Sequence, residues 1–420
     1  MERPKLRRLE RLPLRRGSEE LLVLRDPLGL CEPFAIDADM GPVLDALDGQ
    51  RTLAQIRQSL MMRGLALVDA GALAEFVAEL GATGLLDDDH FRALWAEAHD
   101  AFVALDVRPP RRAGLFYPDD PESLRTWLAP ALPLPDSALQ AQAGEDFSEG
   151  AAGDWGARER ASKWGRPPIG IVVPHQPPVG PQLAPALRRL LSTLPEPEHY
   201  ERIVVLATDH SPGLLPFAAC DKDWGTPLGP ISADLELLAT LDDQVPWLLR
   251  EQIRLRSADP IEWTTLLLRG LWGDRCPPVL ALACGQTRLT TAEGRERGDE
   301  LFAALGHTLG PASEAGRVLW WATAELSHVG PAFGGPPTEA SAVAQDEAET
   351  LAPLLEGHPG AFSRRCMDRP ASERPSGSAA LSALSEFLPV GHRGQVIEHL
   401  VLPAPGARPG WIGCPLLRFD

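Results

Sequence analysis

The sequence lacks the short motifs by which many enzymes are recognised. Its 420 residues contain no CxxC pair, P-loop, GxGxxG fingerprint or GxSxG elbow. A zinc ribbon, a nucleotide-binding loop and an α/β-hydrolase triad therefore have no support in the sequence. The six cysteines are scattered along the chain. This distribution predicts free thiols in a reducing compartment.

Lysine and long apolar runs are also scarce. Lysine occurs only at positions 5, 163 and 222, and the formal net charge is −18. An acidic chain of this kind is unsuited to nucleic acid or to an anionic membrane surface. No apolar run reaches the length of about 20 residues that a membrane span needs. The first residues are basic, but they lack the apolar core that is typical of a secretory signal. We expect a cytoplasmic protein without a nucleic-acid or membrane partner.

Three apolar runs each end in a histidine. They read I-G-I-V-V-P-H to His175, R-I-V-V-L-A-T-D-H to His210 and V-L-W-W-A-T-A-E-L-S-H to His328. Such runs are typical of buried parallel strands, whose carboxyl ends form the ligand site of an open α/β sheet. One histidine at a strand end is usually a hydrogen-bonded structural residue. Three at equivalent ends predict a shared metal or catalytic site.

Residues 21–105 have a pattern of their own. Two apolar segments in 20–37 predict a hairpin, and three amphipathic helices follow, the second of them capped by Thr52. The segment resembles the PqqD-like winged-helix family through L-D-G at 47–49, R-T-L-A-Q-I at 51–56 and G-L-L-D at 84–87. The resemblance implies a small α+β domain that recognises a peptide or protein partner. The acidic composition disfavours DNA, and a packing role remains open. We expect residues 1–20 to be a basic, partly ordered tail.

Residues 106–420 alternate strand-like and helix-like segments. The strand-like runs lie at 169–175, 202–208, 278–284 and 317–324. The pattern predicts an α/β domain with a mostly parallel sheet flanked by helices. Residues 133–168 are rich in Ala, Gly, Ser, Glu and Asp without periodicity, which predicts a mobile insertion.

This second region resembles the Memo family, also called AmmeMemoRadiSam system protein B. The resemblance rests on six segments in order: A-G-L-F-Y-P-D-D-P at 113–121, I-V-V-P-H at 171–175, V-L-A-T-D-H at 205–210, T-P-L-G-P-I-S-A-D at 226–234, P-I-E-W at 260–263 and A-E-L-S-H-V-G at 324–330. It implies a fold like that of class III extradiol dioxygenases, which hold non-haem iron between two histidines and a carboxylate. The family name also implies a radical-SAM system partner.

The resemblance also implies roles for individual residues. His175 and His210 would be metal ligands, and His328 the acid–base or supporting histidine, with Glu325 where the family has Asp. The chain departs from the family at several positions: two prolines follow in P-H-Q-P-P, where the family has P-H-A-G-Y, and Ser211 replaces the second histidine of S-H-H. Asp259 replaces another histidine, and Ser376 replaces the cysteine ligand. A serine hydroxyl is a poorer metal ligand than a thiolate. The candidates for a third ligand or the pocket are Asp259, Glu262, Ser376 and Asp209, and Cys366 is a further substitute for the lost cysteine.

Three hypotheses follow. The first is an Fe(II)-dependent oxidoreductase, similar to a dioxygenase, that acts on a small substrate; another divalent metal, or none, is left open. The second is a non-catalytic metal- or peptide-binding scaffold that keeps the fold. The third is a metal-independent hydrolase that uses Asp209, His210, Ser211 and Ser376. It is disfavoured because adjacent residues on a strand point to opposite faces.

Overall fold

The computed structural model describes residues 3–17, 19–64, 69–134, 165–211, 213–370, 373–389, 391–406 and 408–420. The chain divides into two compact units. The first comprises residues 1–105 with the short segment 210–212, and the second comprises 106–209 and 213–420. Most of the insertion predicted at 133–168, namely residues 135–164, lies outside the described residues. Within the described residues, none of the helices combines the length and hydrophobicity that crossing a bilayer would require.

The first unit is an antiparallel sheet followed by helices. Its described elements are β1 (Glu10–Arg16), β2 (Glu19–Arg25), β3 (Phe34–Asp37), α1 (Gly41–Ala46), α2 (Leu53–Met62), α3 (Ala70–Ala82) and α4 (Asp89–Val103). The predicted hairpin is confirmed, because β2 pairs antiparallel with β3. The predicted cap is confirmed as well: Thr52 and Gln55 form a complete capping box at the start of α2.

Two features of this unit differ from the sequence expectations. Part of the segment expected to be a basic tail forms β1, which pairs with β2 along its whole length. Arg7 anchors the chain before it, because its guanidinium forms a buried ion pair with Asp26 at 2.8 Å. A fourth helix, α4, follows the three predicted helices, and it begins where the Asp88 side chain accepts the Phe91 N–H.

The second unit is built around one mixed sheet. Its described strands are β4 (Val107–Arg108), β5 (Gly170–Val173), β6 (Arg202–Thr208), β7 (Phe217–Ala218), β8 (Asp223–Trp224), β9 (Val279–Cys284), β10 (Val318–Thr323), β11 (His328–Val329), β12 (Gly394–Pro403) and β13 (Trp411–Phe419). The four strands predicted from the sequence are confirmed as β5, β6, β9 and β10. They run parallel in the order β5-β10-β6-β9.

The prediction of a mostly parallel sheet is wrong at the edges. In the described part of the chain, β7 pairs antiparallel with β9, and β13 pairs antiparallel with β5, β11 and β12. The C-terminal strand β13 is buried along most of its length. It therefore covers the edge that β5 would otherwise expose. The strands β4 and β8 form a separate parallel pair.

Helices cover this sheet. The described helices are α5 (Pro121–Leu128), α6 (Leu183–Leu191), α7 (Leu235–Asp242), α8 (Ile253–Arg256), α9 (Asp259–Trp272), α10 (Thr287–Thr290), α11 (Ala292–Glu314), α12 (Ala340–Leu355), α13 (Pro359–Met367) and α14 (Ser378–Phe387). Trp320 and Trp321 on β10 are almost fully buried, as expected for strand core. Trp320 stacks on Phe387 of α14 with 4.0 Å between ring centroids.

Candidate functional site

The parallel strands bring His175 and Glu325 to one edge of the sheet. Thr323 on β10 lies opposite Val173 on β5, and the Ala324 N–H donates to the Val173 carbonyl at 2.9 Å. Two residues beyond this pair are Glu325 and His175. Their separation from Nε2 of His175 to Oε2 of Glu325 is 3.4 Å. The strand ends thus assemble this part of the site, as fold logic requires.

His328 joins the same carboxylate. Its Nε2 lies 3.1 Å from Oε2 of Glu325, and its ring meets Phe333 edge-on at 5.1 Å between centroids. The His328 side chain remains 28% exposed, whereas that of Glu325 is 3% exposed. Nδ1 of His328 is buried and has no hydrogen-bond partner among the described residues. We refer to His175, Glu325 and His328 as the histidine–glutamate cluster.

Ser376 lies beside this cluster but contacts the backbone. Its hydroxyl donates to the Glu325 carbonyl at 3.3 Å, and the Gly377 N–H donates to the same oxygen at 2.8 Å. A Cβ at Gly377 would fall 2.4 Å from the Ala324 Cβ. Only glycine permits this close approach. Ser376 and Gly377 therefore fix the position of the main chain at Glu325.

Asp209 is held by an arginine. Arg254 binds one Asp209 carboxylate oxygen through Nε at 2.8 Å and through Nη2, and it also binds Glu251 at 2.7 Å. Burial opposes the charge of Arg254, but the two carboxylates outweigh burial and raise its pKa. Asp209 is consequently one side of a fixed ion pair.

Glu262 and Asp259 are also held by arginines. Glu262 accepts from Arg108, from the Tyr117 hydroxyl at 2.7 Å and from the backbone N–H groups of Arg111 and Arg112 at 3.0 and 2.7 Å. Asp259 binds Arg112 through both oxygens at 2.7 and 2.6 Å. We refer to these contacts as the arginine clamp. The clamp fixes the segment A-G-L-F-Y to the start of α9.

The clamp changes the acidity of its members. Burial alone would raise the pKa of Glu262, but Arg108 and the hydrogen-bond donors around the carboxylate outweigh burial and lower it. Burial, followed by the Glu262 carboxylate, raises the pKa of Tyr117. Glu262 is therefore ionised and saturated with donors.

His210 lies two residues beyond β6, is exposed, and groups with the first unit. In the described part of the chain, no group of three His, Cys, Asp or Glu side chains has the arrangement of a metal site. The candidate ligands named from the resemblance are therefore not gathered into one group among these residues. The reason is local: three of the candidate carboxylates are bound by arginine, and Ser376 is a neutral hydroxyl.

Sequence reasoning missed several residues of this region. Glu347 on α12 and His399 on β12 form a second carboxylate–imidazole pair at 2.6 Å. Cys414 on β13 is buried, and its sulfur accepts from Gln176 Nε2 at 3.5 Å. All six cysteines are free thiols, as predicted. Cys366 is buried, and burial raises its pKa to about 12. No short sequence signal points to this pair, because His399 lies on β12, which the sequence analysis did not predict, and Glu347 lies on a helix 52 positions earlier in the chain.

The family model described below matches residues that lie in the second unit. The Memo-like protein family model matches residues 108–371. A MEMO1 family protein of Aquifex aeolicus (strain VF5) is 21% identical over 315 residues, which is 75% of this chain and 73% of that protein. The structure of an uncharacterized protein from Escherichia coli K12 aligns at 14% identity with a TM-score of 0.31, over 60% of this chain and 99% of that one. A score of that size carries no argument about function. The chain belongs to the Memo-like family.

Proposed function

We propose that this chain is a Memo-like binding protein that keeps the family fold without redox chemistry. The observation that carries the proposal is the pairing of three candidate carboxylates, one just after β6 and two in the first turn of α9. Asp209, Asp259 and Glu262 are each bound by an arginine, so each would have to lose a salt bridge before it could bind a metal. The pairs of Asp209 and Glu262 are buried, and breaking a buried pair costs about 3–5 kcal/mol. The free thiols suit a reducing compartment such as the cytoplasm.

The histidine–glutamate cluster is the ligand site in this proposal. Two imidazoles face one buried carboxylate oxygen, and imidazole both donates and accepts hydrogen bonds near neutral pH. Because its side chain is partly exposed, His328 is the member of the cluster that a ligand would reach from solvent. A small polar ligand with both donor and acceptor groups fits this chemistry.

Iron loading tests the proposal. The full chain is incubated anaerobically with Fe(II), freed of unbound metal, and assayed for iron, beside the variants His175→Ala and His210→Ala. His307→Ala on α11 is the control, because His307 is an exposed histidine outside the cluster. We expect no retained iron in any sample. One iron per chain in the wild type and the control, with loss in the two variants, would overturn the proposal.

The second candidate is the Fe(II)-dependent oxidoreductase that the family resemblance implied. One observation favours it: the His175 and His328 imidazoles both lie within 3.4 Å of the Glu325 carboxylate. In this alternative His175 would be a metal ligand, as the resemblance implies, and His328 and Glu325 would hold and move a proton. The iron assay separates the two candidates, and a radical-SAM partner belongs only to this second one.

For the first unit we propose a peptide or protein partner, in keeping with the PqqD-like winged-helix resemblance. The support is a groove of about 700 Å³ along α2 and α3, lined by apolar side chains that include Met61 and Met62. Met62 is 82% exposed, and flexible methionines suit adaptable binding surfaces. A photo-crosslinker at Met62 of the full chain is expected to capture a peptide. The same crosslinker at Leu214, an equally exposed apolar residue of the second unit, is the control, and equal capture at both sites would contradict this proposal.

A further inference from the structure

A second buried carboxylate lies under the loop that carries Glu325 and His328. Glu347 on α12 is only 1% exposed. Its Oε1 accepts the backbone N–H of Ser327 at 2.7 Å, and its Oε2 lies 2.6 Å from Nε2 of His399. Ser327 stands between Leu326 and His328 in the chain, so this bond holds the loop at its centre.

Strand β13 completes the attachment. The Leu326 N–H donates to the Gly413 carbonyl at 2.8 Å, and the Gly413 N–H donates to the Ser327 carbonyl at 3.0 Å. A Cβ at Gly413 would fall 1.8 Å from Oε1 of Glu347. The Glu347 carboxylate therefore lies against the bare backbone of β13, where no other residue type leaves room for it. The loop is held by Glu347 and Gly413 on one side and by Gly377 on the other.

Both buried carboxylates near this loop have imidazole partners. Glu325 faces His175 and His328, and Glu347 faces His399. Burial, followed by Glu325 and then Glu347, raises the pKa of the Cys414 thiol. A thiol that stays neutral adds no third negative charge to this buried region.

We propose that Glu347 is a positioning residue for the histidine–glutamate cluster. By binding the Ser327 N–H, it fixes the turn from Glu325 to His328 so that the His328 ring meets the Glu325 carboxylate at 3.1 Å. His399 gives the buried Oε2 of Glu347 a hydrogen-bond partner. This inference rests on the proposed role of the cluster as the ligand site, and it adds to that site a residue that touches no ligand itself.

Histidine resonances test the inference without any ligand. The full chain is labelled with ¹³C-histidine, and the ring signals are compared in the wild type, Glu347→Ala and Glu347→Gln. In Glu347→Ala we expect the signals of both His399 and His328 to shift. In Glu347→Gln we expect the His328 signal to return toward its wild-type position, because the amide oxygen still accepts the Ser327 N–H, while the His399 signal stays displaced. Glu349→Ala, on the exposed side of the same helix and paired with Arg365, is expected to move neither.

The results that overturn the inference are specific. If Glu347→Ala moves the His399 signal and leaves His328 unchanged, Glu347 is not a positioning residue. If Glu347→Ala does not fold, the His328 and His399 signals are compared in Glu347→Asp instead. This variant keeps the carboxylate but shortens the side chain by one methylene, and the same outcomes apply. Glu325→Gln is the separate reference for the site. If that variant leaves the His175 and His328 signals unchanged, the proposed ligand site fails, whereas a failure confined to the Glu347 variants overturns only the positioning role.

Discussion

Two buried carboxylates of the second unit have opposite kinds of partner. Glu262 and Glu325 are 1% and 2% exposed. Glu262 is surrounded by Arg108, Tyr117 and two backbone N–H groups, and Glu325 is faced by two imidazoles. Arginine keeps its charge at any working pH, whereas imidazole gains and loses a proton near neutrality. The first carboxylate is therefore fixed as part of the structure, and the second can take part in ligand binding or proton transfer.

Carboxylates at the ends of neighbouring strands also differ in their partners. Asp209, at the end of β6, is bound to Arg254. Glu325, just beyond the end of the neighbouring β10, is faced by His175 and His328. The same edge of the sheet thus holds one carboxylate in an ion pair and another in the histidine–glutamate cluster.

The largest expected effect is on the arginine clamp. Glu262→Ala leaves the Arg108 guanidinium buried without its carboxylate, and we expect a loss of about 3–5 kcal/mol in the free energy of unfolding. Urea denaturation measures it. Glu296→Ala, at an exposed position of α11, is the control and is expected to change stability little. If Glu262→Ala lowers the free energy of unfolding no more than Glu296→Ala does, Glu262 is not the structural carboxylate described above.

The clamp also predicts a direction of pH dependence. The pKa of Glu262 is lowered in the folded state, so its stabilisation is present above the ordinary glutamate pKa of about 4.3 and is lost as the pH falls through the lowered value. The free energy of unfolding is measured from neutral pH into this acid range. Glu262→Gln is expected to lose less stability than the wild type over the same interval. Parallel curves for both proteins would contradict the assignment.

Gly377 should show an intermediate effect. Gly377→Ala places a methyl group 2.4 Å from the Ala324 Cβ, and overpacking of this kind costs about 1–3 kcal/mol. Gly306→Ala, in the exposed part of α11 with no atom within 4 Å of the new Cβ, is the matched control. It is expected to stabilise the helix by up to about 1 kcal/mol. Melting temperatures that move in the same direction for both variants would refute this packing argument.

The smallest stability effect is expected at Glu325. Glu325→Gln keeps a hydrogen-bond acceptor for the two imidazoles, so we expect a change of about 1 kcal/mol. Urea denaturation beside Glu262→Ala gives the ranking. A cost as large as that of the clamp variant would mean that Glu325 is a structural carboxylate as well.

The sequence alone was sufficient for the parallel centre of the sheet and for part of the site. The β-branched runs identified the four central strands, and strand-end logic pointed to His175 and His328, whereas Glu325 came only from the family resemblance. It was not sufficient for β12 and β13, because W-I-G-C-P-L-L-R-F contains glycine and proline and lacks clear alternation. The pair of Glu347 and His399 could not be predicted, because His399 lies on β12 and 52 positions separate the two residues. The pairing of Asp209 with Arg254 depends on residues 45 positions apart, a distance that no local pattern reports.

The most direct test of the account is the response of the histidine rings to Glu325→Gln. The central claim is that His175 and His328 meet at one carboxylate oxygen. In the ¹³C-histidine-labelled full chain, the variant is expected to shift the ring signals of both residues and to leave the exposed His307 unchanged. Shifts at only one of the two rings, or at neither, would contradict the claim that they form a single site.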